Sequence, residues 1–422
     1  MNLTALFGLL GGLLVLAFLA NKLFAWTRVP DVVVLIATGI VLGPVLHVAR
    51  AEQFQTVTHA FGTLALLLIL FEGGLDLDIK KTLIHFPGGL VFGVLSFGMA
   101  LGSVAAVFHY TQRSSWLDAA LVGAVLGCTS SSIVLPILQQ LQGRDPIKVI
   151  LLLESTLGDV FAVLTVGALL DFRAGSGAGG TVLARGVAVQ ILLAIALAVA
   201  LGFAWARMLS LLSERRFWPV LTLAVVLLLY AGTEALHASG LLAVLSFGLA
   251  LANLPSRGHD ALEQQWSFIS RPDPKEQILS FHSELSFLIR TFFFVLIGVV
   301  VQLSGLRALK YVAAGVIAAI YLSRWLAVQT SRWSWRDVSP AERELLLLIH
   351  PRGLVTVVLA LQVVEAAGTG FQFLPTLAFA VIVFTNLLVI VGSIRARKKL
   401  GAAPQPPAAA ETPPPTASTA QA

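Results

Sequence analysis

Two carboxylates and two arginines interrupt long apolar stretches of the chain. Glu154 and Asp159 lie in LLLESTLGDVFA, and Arg324 and Arg352 lie in two later apolar stretches. If these stretches cross a membrane, each charge costs at least about 2.5–3.5 kcal/mol and needs a partner or a water-filled cavity. Arg324 can neutralise Glu154, with Arg352 as a second cation, which leaves Asp159 without an obvious permanent partner. Such a carboxylate can bind a proton and a metal cation in turn.

Hydroxyl side chains lie near these charges in the sequence. Ser155 shares a helical face with Asp159, four residues further on. Four consecutive hydroxyls occupy an earlier apolar stretch: Thr129, Ser130, Ser131 and Ser132. Hydroxyl and carboxylate oxygens are hard ligands that suit alkali cations and do not hold transition metals. The alternative for the four consecutive residues is a set of hydrogen bonds to the preceding turn of an intact helix.

The composition indicates the class of protein. Of 422 residues, 57% are hydrophobic and 12% are charged, about half the usual charged share of ~25%. Apolar runs of roughly 18 to 25 residues recur between Leu3 and Ile394, and each can cross ~30 Å of hydrocarbon. We therefore predict an all-α polytopic membrane protein with about thirteen transmembrane helices. Its single cysteine, Cys128, excludes an internal disulfide.

Two of the predicted helices contain sequences that interrupt a helix. The fifth has the hydroxyl cluster followed by Pro136, and the twelfth has His350-Pro351-Arg352-Gly353. The predicted helices form two repeats, at about 3–170 and about 217–394, and each break falls in the fifth helix of its repeat. Because a single linker helix at about 183–211 separates the repeats, they enter the membrane from opposite sides. Inverted repeats with paired broken helices crossing at mid-membrane are typical of secondary transporters. The alternative is two unrelated proline kinks.

The loops and the tail give the orientation and the boundaries. Most Lys and Arg residues lie in alternate loops, which predicts an external N-terminus and a cytoplasmic C-terminus in a cell (inner) membrane. The net charge of +6 comes mostly from these short loops, where it orients the protein in the membrane, so no nucleic-acid partner is expected. The transporter domain covers 1–400, and the Ala/Pro-rich tail at 401–422 is expected to be disordered.

Several motifs, in this order and spacing, resemble the monovalent cation:proton antiporter superfamily, most closely its electroneutral sodium/proton exchanger branch. The resemblance covers about 28–395 and rests on these segments: Val29-Pro30, residues 39–44 (GIVLGP), residues 71–75 (FEGGL), Glu154-Ser155 with Gly158-Asp159, residues 239–244 (SGLLAV), residues 292–298 (FFFVLIG), Arg324, and residues 351–354 (PRGL).

The resemblance implies a fold, a function and roles for individual residues. It implies a homodimer of thirteen-helix protomers, each with a dimerisation domain and a six-helix core domain that moves like an elevator. It implies that Asp159 binds the transported ion, that Thr129, Ser130 and Ser155 contribute oxygens, and that Glu154 forms a stabilising ion pair with Arg324. No cofactor is implied.

Two departures from the family pattern concern the ion site. Gly158 stands where electroneutral members usually carry Asn and electrogenic members Asp, and Ser130 stands where Asp is frequent. The remaining single free carboxylate predicts exchange of one Na⁺ or K⁺ for one H⁺. The alternatives are an organic-ion/sodium symporter or a channel on a related fold. An intramembrane enzyme is disfavoured because a second mid-membrane aspartate is lacking.

Overall fold

The structure is a computed structural model of the 422-residue chain. It describes residues 8, 11–19, 22, 31–47, 55–76, 79–139, 145–174, 180–211, 217–236, 238–253, 274–301, 303–331 and 338–400. All regular elements in these ranges are helical, and apart from a π-helix at Val41–Val45 and a 3-10 helix at Thr369–Phe371 they are α-helices. They are α1 (11–19), α2 (Asp31–Ile40), α3 (Gln55–Asp76), α4 (Ile79–Gln112), α5 (Trp116–Gly127), α6 (Ser131–Gln139), α7 (Asp145–Arg173), α8 (Gly180–Leu211), α9 (Trp218–Ala235), α10 (Gly240–Asn253), α11 (Pro274–Val300), α12 (Leu303–Thr330), α13 (Pro340–Leu348), α14 (Leu354–Ala367) and α15 (Leu374–Leu400).

The helices are long and apolar enough to confirm the prediction of an all-α polytopic membrane protein. Within the described ranges, 8 segments can cross a membrane by length and composition, and the segment Trp116–Leu138 joins α5 to α6. Four shorter apolar helices add to these: Val32–Val45, Phe61–Leu75, Gly240–Asn253 and Leu354–Ala367. The count of thirteen spans and the repeat boundaries remain predictions, and the tail at 401–422 lies outside the described residues.

The helices pack in two groups. One contains α4 to α7 and α12 to α15, and the other contains α2, α3 and α8 to α11. Glycines mark close crossings in the second group. A Cβ added at Gly298 of α11 would lie 2.3 Å from the carbonyl oxygen of Ile36 in α2, and one at Gly248 of α10 would lie 2.5 Å from that of Phe71 in α3. Both glycines therefore allow backbones to approach where any side chain would collide.

Both predicted broken helices are present. The fifth span stops at Gly127, where Cys128 turns extended (φ −80°, ψ 147°), and resumes at Ser131. The twelfth span stops at Leu348 and resumes at Leu354. The two breaks touch, because the Ser130 N–H donates to the Pro351 carbonyl at 2.8 Å. A backbone group that leaves one helix is thereby satisfied by the other, as an apolar environment requires.

Local sequence explains where some of these half-helices begin. Ser115 caps α5, since its side chain accepts the Asp118 N–H at 3.1 Å. Ser339 and Glu342 form a capping box at the start of α13, and Pro340 occupies a first-turn position that needs no N–H donor. Gly353 lies at the crossing, where an added Cβ would lie 2.3 Å from Ser130 Oγ. Glycine at this point therefore lets the two breaks approach without displacing Ser130.

Candidate functional site

The side chain of Asp159, in α7, contacts the start of the half-helix α6. The Ser131 Oγ–H donates to Asp159 Oδ2 at 2.8 Å, and the Ser131 N–H donates to the same oxygen at 3.4 Å. The first N–H groups of a helix have no acceptor within the helix and carry a partial positive charge, so they favour an anion there. Asp159 is 1% exposed, and its Oδ1 has no hydrogen-bond partner among the residues that the structure describes. One oxygen of a buried carboxylate is thus held in place and the other is available.

Glu154 lies five residues earlier in α7 and has a separate set of partners. Its Oε1 is 3.0 Å from Arg324 Nη1 and accepts hydrogen bonds from Thr129 Oγ1 at 2.9 Å and Ser96 Oγ at 3.2 Å. Ser96 also accepts from Arg324 Nη1 at 2.9 Å, so it bridges both ends of the ion pair. The two carboxylates therefore serve different neighbours, as the helical spacing predicts.

Arg324 also caps the first half of the second broken span. Its Nε donates to the Leu346 carbonyl at 2.7 Å and its Nη2 to the Ile349 carbonyl at 3.5 Å, at the C-terminal end of α13. The guanidinium carbon lies 4.6 Å from the centre of the Phe92 ring. A cation at a helix C-terminus compensates both the free carbonyls and the helix dipole.

Arg352 plays the corresponding part at the first break. Its Nε donates to the Leu126 carbonyl at 2.8 Å, at the end of α5, and its Nη1 donates to Thr129 Oγ1 at 3.3 Å and to the His350 carbonyl at 3.3 Å. Arg352 therefore binds carbonyl oxygens that the breaks leave without a helical N–H donor. Thr129 Oγ1 links Arg352 to Glu154, because it accepts from Arg352 and donates to Glu154. The role of Arg352 as a second cation for Glu154 remains a prediction.

The hydroxyls expected to serve the cation point in different directions. Thr129 donates to Glu154, Ser130 Oγ pairs with Ser132 Oγ at 3.0 Å, and Ser155 Oγ donates to the Leu152 carbonyl of its own helix at 3.0 Å. Thr129 and Ser130 lie in the first break and Ser155 lies in α7, whereas the hydroxyl that donates to Asp159 is that of Ser131. Their role as ligands remains a prediction.

Some site residues were not identified from the sequence. Thr385 Oγ1 accepts the Arg352 N–H at 3.1 Å, and Asn386 Nδ2 donates to the Arg352 carbonyl at 2.8 Å, so α15 satisfies both backbone groups of a residue inside the second break. The polar pair Thr-Asn within VIVFTNLLVIV was the available signal. Ser96 is one of two serines in the apolar helix α4, and isolated serines in apolar helices are too common to single out.

Arg290 connects the two helix groups beside the first break. Its Nη1 donates to the Ser132 carbonyl at 3.2 Å. In a regular helix that carbonyl would accept the N–H of residue 136, but residue 136 is proline. Pro136 therefore frees the carbonyl that Arg290 of α11 binds.

Among the described residues, the buried positive and negative charges at the crossing are equal in number. Glu154 and Asp159 carry two negative charges when ionised, and Arg324 and Arg352 carry two positive charges. Either a proton or a monovalent cation at Asp159 brings the set to the same net charge. Glu154 is engaged by its ion pair with Arg324, whereas Asp159 Oδ1 has no hydrogen-bond partner among the described residues.

Comparison with known proteins supports the assignment of a family. The model of the family described as "Sodium/hydrogen exchanger, transmembrane" matches residues 12–396. The Na⁺/H⁺ antiporter 1 of Methanocaldococcus jannaschii is 24% identical over 383 residues, which cover 86% of this chain and 84% of that protein. The K⁺/H⁺ antiporter NhaP2 of Shewanella sp. strain ANA-3 is 24% identical over 407 residues, which cover 95% of this chain and 68% of that protein.

The fold also has a close counterpart among solved structures. The sodium proton antiporter MjNhaP1 from Methanocaldococcus jannaschii, solved at pH 8, superposes with a TM-score of 0.78 at 22% identity, covering 93% of this chain and 100% of that chain. The family match confirms the prediction of a transporter in place of an enzyme. The chain belongs to the sodium/hydrogen exchanger family.

Proposed function

We propose that this chain is a secondary active antiporter that exchanges a monovalent cation, Na⁺ or K⁺, for H⁺, with Asp159 binding one or the other. The observation that carries the proposal is the buried Asp159 carboxylate at the crossing of two broken helices, with Oδ1 lacking a hydrogen-bond partner among the described residues. Family membership and the Na⁺/H⁺ and K⁺/H⁺ antiporters among its relatives support it.

The exchange ratio that we propose is one cation for one proton. The two arginines balance the two acids, and Glu154 is engaged by Arg324 at 3.0 Å. A second proton carried on Glu154 would leave the buried Arg324 guanidinium without its counter-ion, which argues against a higher ratio. Thr129, Ser130 and Ser155 belong to this proposal as further oxygen ligands, reached by rotation of their hydroxyls.

The proposal extends to the cellular setting. The distribution of Lys and Arg over the loops supports an inner-membrane protein with its N-terminus outside and its C-terminus in the cytoplasm. The family resemblance supports a homodimer. In that setting the antiporter uses one ion gradient to drive the other ion, with no cofactor.

The test is exchange in proteoliposomes that hold an imposed pH gradient and an internal pH dye. Na⁺, K⁺ or Li⁺ is added outside, with and without a valinomycin/K⁺ clamp. We expect one or more of these cations to trigger proton movement that does not respond to membrane potential. Movement that depends on the potential would contradict the one-to-one ratio.

The residue assignment is tested in the same vesicles with Asp159→Asn. Asparagine keeps the size of the side chain but cannot alternate between a proton and a cation, so exchange should fall to the rate of protein-free vesicles. Asp171→Asn, an exposed acid near the end of the same helix, is the matched control and should exchange normally. Parental exchange by Asp159→Asn would refute the assignment. Substrate-dependent Na⁺ uptake without proton movement would instead favour a symporter.

A further inference from the structure

Ser131 contacts Asp159 more closely than any hydroxyl that the family pattern assigns to the cation. Its Oγ lies 2.8 Å from Asp159 Oδ2, and the side chain is 5% exposed. The resemblance to the family assigned oxygens to residues 129, 130 and 155, and Ser131 was placed in the break by its position in the hydroxyl cluster. Thr129, Ser130 and Ser155 each donate to or pair with a different group.

The two oxygens are spaced so that one cation can touch both. Ca²⁺, whose ionic radius is close to that of Na⁺, takes oxygen ligands at about 2.3–2.6 Å. Two oxygens 2.8 Å apart can each lie within that distance of a single ion. A hydroxyl that donates its proton to a carboxylate keeps two acceptor lone pairs, so rotation of the O–H bond is enough to present one to the cation.

The backbone holds Ser131 in place during such a rotation. Ser131 is the first residue of α6, and its N–H also donates to Asp159 Oδ2. The preceding residue is fixed by the Ser130 N–H bond to the Pro351 carbonyl. The hydroxyl can therefore change its partner without moving the helix, which suits a ligand that must bind and release an ion in every cycle.

We propose that Ser131 is a switchable cation ligand. In one phase of the cycle its hydroxyl donates a hydrogen bond to the Asp159 carboxylate, and in the other phase its oxygen coordinates Na⁺ or K⁺. This inference rests on the proposed function of Asp159. It adds a specificity-determining oxygen that the other members of the hydroxyl cluster do not supply from their present positions.

The first experiment measures KM and maximal rate for Na⁺, K⁺ and Li⁺ in Ser131→Ala, Ser131→Thr and the parent. Loss of the oxygen should raise the KM for the transported cation about tenfold, the size expected for one charge-assisted contact. The maximal rate should change less than the KM. Ser131→Thr keeps the hydroxyl and should stay near the parental KM. Ser103→Ala, which removes a hydroxyl bonded to backbone carbonyls in α4 and α12, should leave the KM unchanged.

A second readout does not depend on transport. A cation that binds the folded protein raises its thermal midpoint, so adding the transported cation should stabilise the parent more than Ser131→Ala. Ser131→Gly removes the same hydroxyl and serves if the alanine variant does not fold. A parental KM and a parental cation-induced shift in a folded variant without the hydroxyl would overturn the inference.

The two proposals can fail separately. If Asp159→Asn exchanges normally, the proposed function of that residue fails, and the inference on Ser131 fails with it. If Asp159→Asn is inactive while Ser131→Ala keeps the parental KM, only the inference on Ser131 fails. A purely structural role of Ser131 would lower the folded yield and leave KM unchanged.

Discussion

At the scale of single residues, the structure separates two carboxylates that lie five positions apart. Glu154 contacts an arginine, a serine and a threonine, whereas Asp159 contacts the start of a half-helix. A buried acid with a fixed counter-ion has its charge compensated within the fold, whereas a buried acid with one available oxygen can exchange ligands. Burial alone would not distinguish them, since Glu154 is 3% and Asp159 1% exposed. The partners decide their roles.

The Glu154–Arg324 pair yields a prediction about folding. Arg324→Ala strands a buried carboxylate and should cost about 3–5 kcal/mol, seen as a low folded yield by size-exclusion chromatography. The double variant Arg324→Met with Glu154→Leu removes both charges and should recover much of that yield. Normal yield of Arg324→Ala with a selectively altered cation preference would contradict this structural role.

Two glycines near the crossing should respond in opposite ways to alanine. At Gly158 the nearest atom to an added Cβ is the Thr129 backbone nitrogen at 3.7 Å, an ordinary contact, so Gly158→Ala should raise stability by about 0.5–1 kcal/mol. At Gly353 an added Cβ would lie 2.7 Å from Ser130 Cβ, so Gly353→Ala should lower the free energy of unfolding by about 1–3 kcal/mol. Thermal midpoints in detergent check both. A lower midpoint for Gly158→Ala would show that the site has no room there.

Part of the site was predictable at this scale, and part was not. The rarity of charges in apolar segments was enough to select Glu154, Asp159, Arg324 and Arg352. Which hydroxyl faces Asp159 depends on the residue at which α6 begins, and a shift of one residue turns a side chain about 100° around the helix. Sequence spacing did not determine that start, and the residue before it is hydrogen-bonded to Pro351 of a distant segment.

At the scale of elements, the half-helices account for the buried charges. Arg352 binds a carbonyl at the end of α5, Arg324 binds carbonyls at the end of α13, and Asp159 binds the N–H at the start of α6. Each charge has the sign that the helix end favours. The broken helices therefore reduce the cost of burying ionised groups in an apolar environment.

The contact of Arg290 with the break gives a prediction about a pair of residues on two helices. Arg290→Ala leaves the half-buried Ser132 carbonyl without this donor and should cost about 1 kcal/mol. Pro136→Ala supplies an N–H to the same carbonyl within α6, so the loss on changing Arg290 should be smaller in that background. A double-mutant cycle of thermal stability measures the coupling. Strictly additive losses would show that Pro136 and Arg290 act independently.

The breaks themselves were predictable from the sequence, but their mutual contact was not. Proline, glycine and clustered hydroxyls identified both interrupted helices. The bonds of Thr385 and Asn386 to Arg352 join residues 33 and 34 positions apart, and that of Ser130 to Pro351 joins residues in different halves of the chain. Such pairings depend on how whole helices pack, and local patterns carry no direct information about them.

At the scale of the whole molecule, the two groups of helices meet around the site. The breaks and all four charges belong to the group formed by α4 to α7 and α12 to α15, and Arg290 reaches them from α11 of the other group. A site carried by one group and bordered by the other suits alternating access, in which one unit moves against the second. The apolar spans made the membrane class predictable, whereas the grouping depends on tertiary packing.

The claim that a proton and a cation compete for Asp159 is tested most directly by measuring the cation KM of exchange at a series of pH values. Competition at one carboxylate predicts a KM that rises towards about tenfold for each unit of falling pH in the acidic range, with a constant maximal rate. The parent in proteoliposomes, with its transported cation varied on one side, provides the measurement. A KM independent of pH with a changing maximal rate would mean that the two ions use separate sites, and would contradict the account.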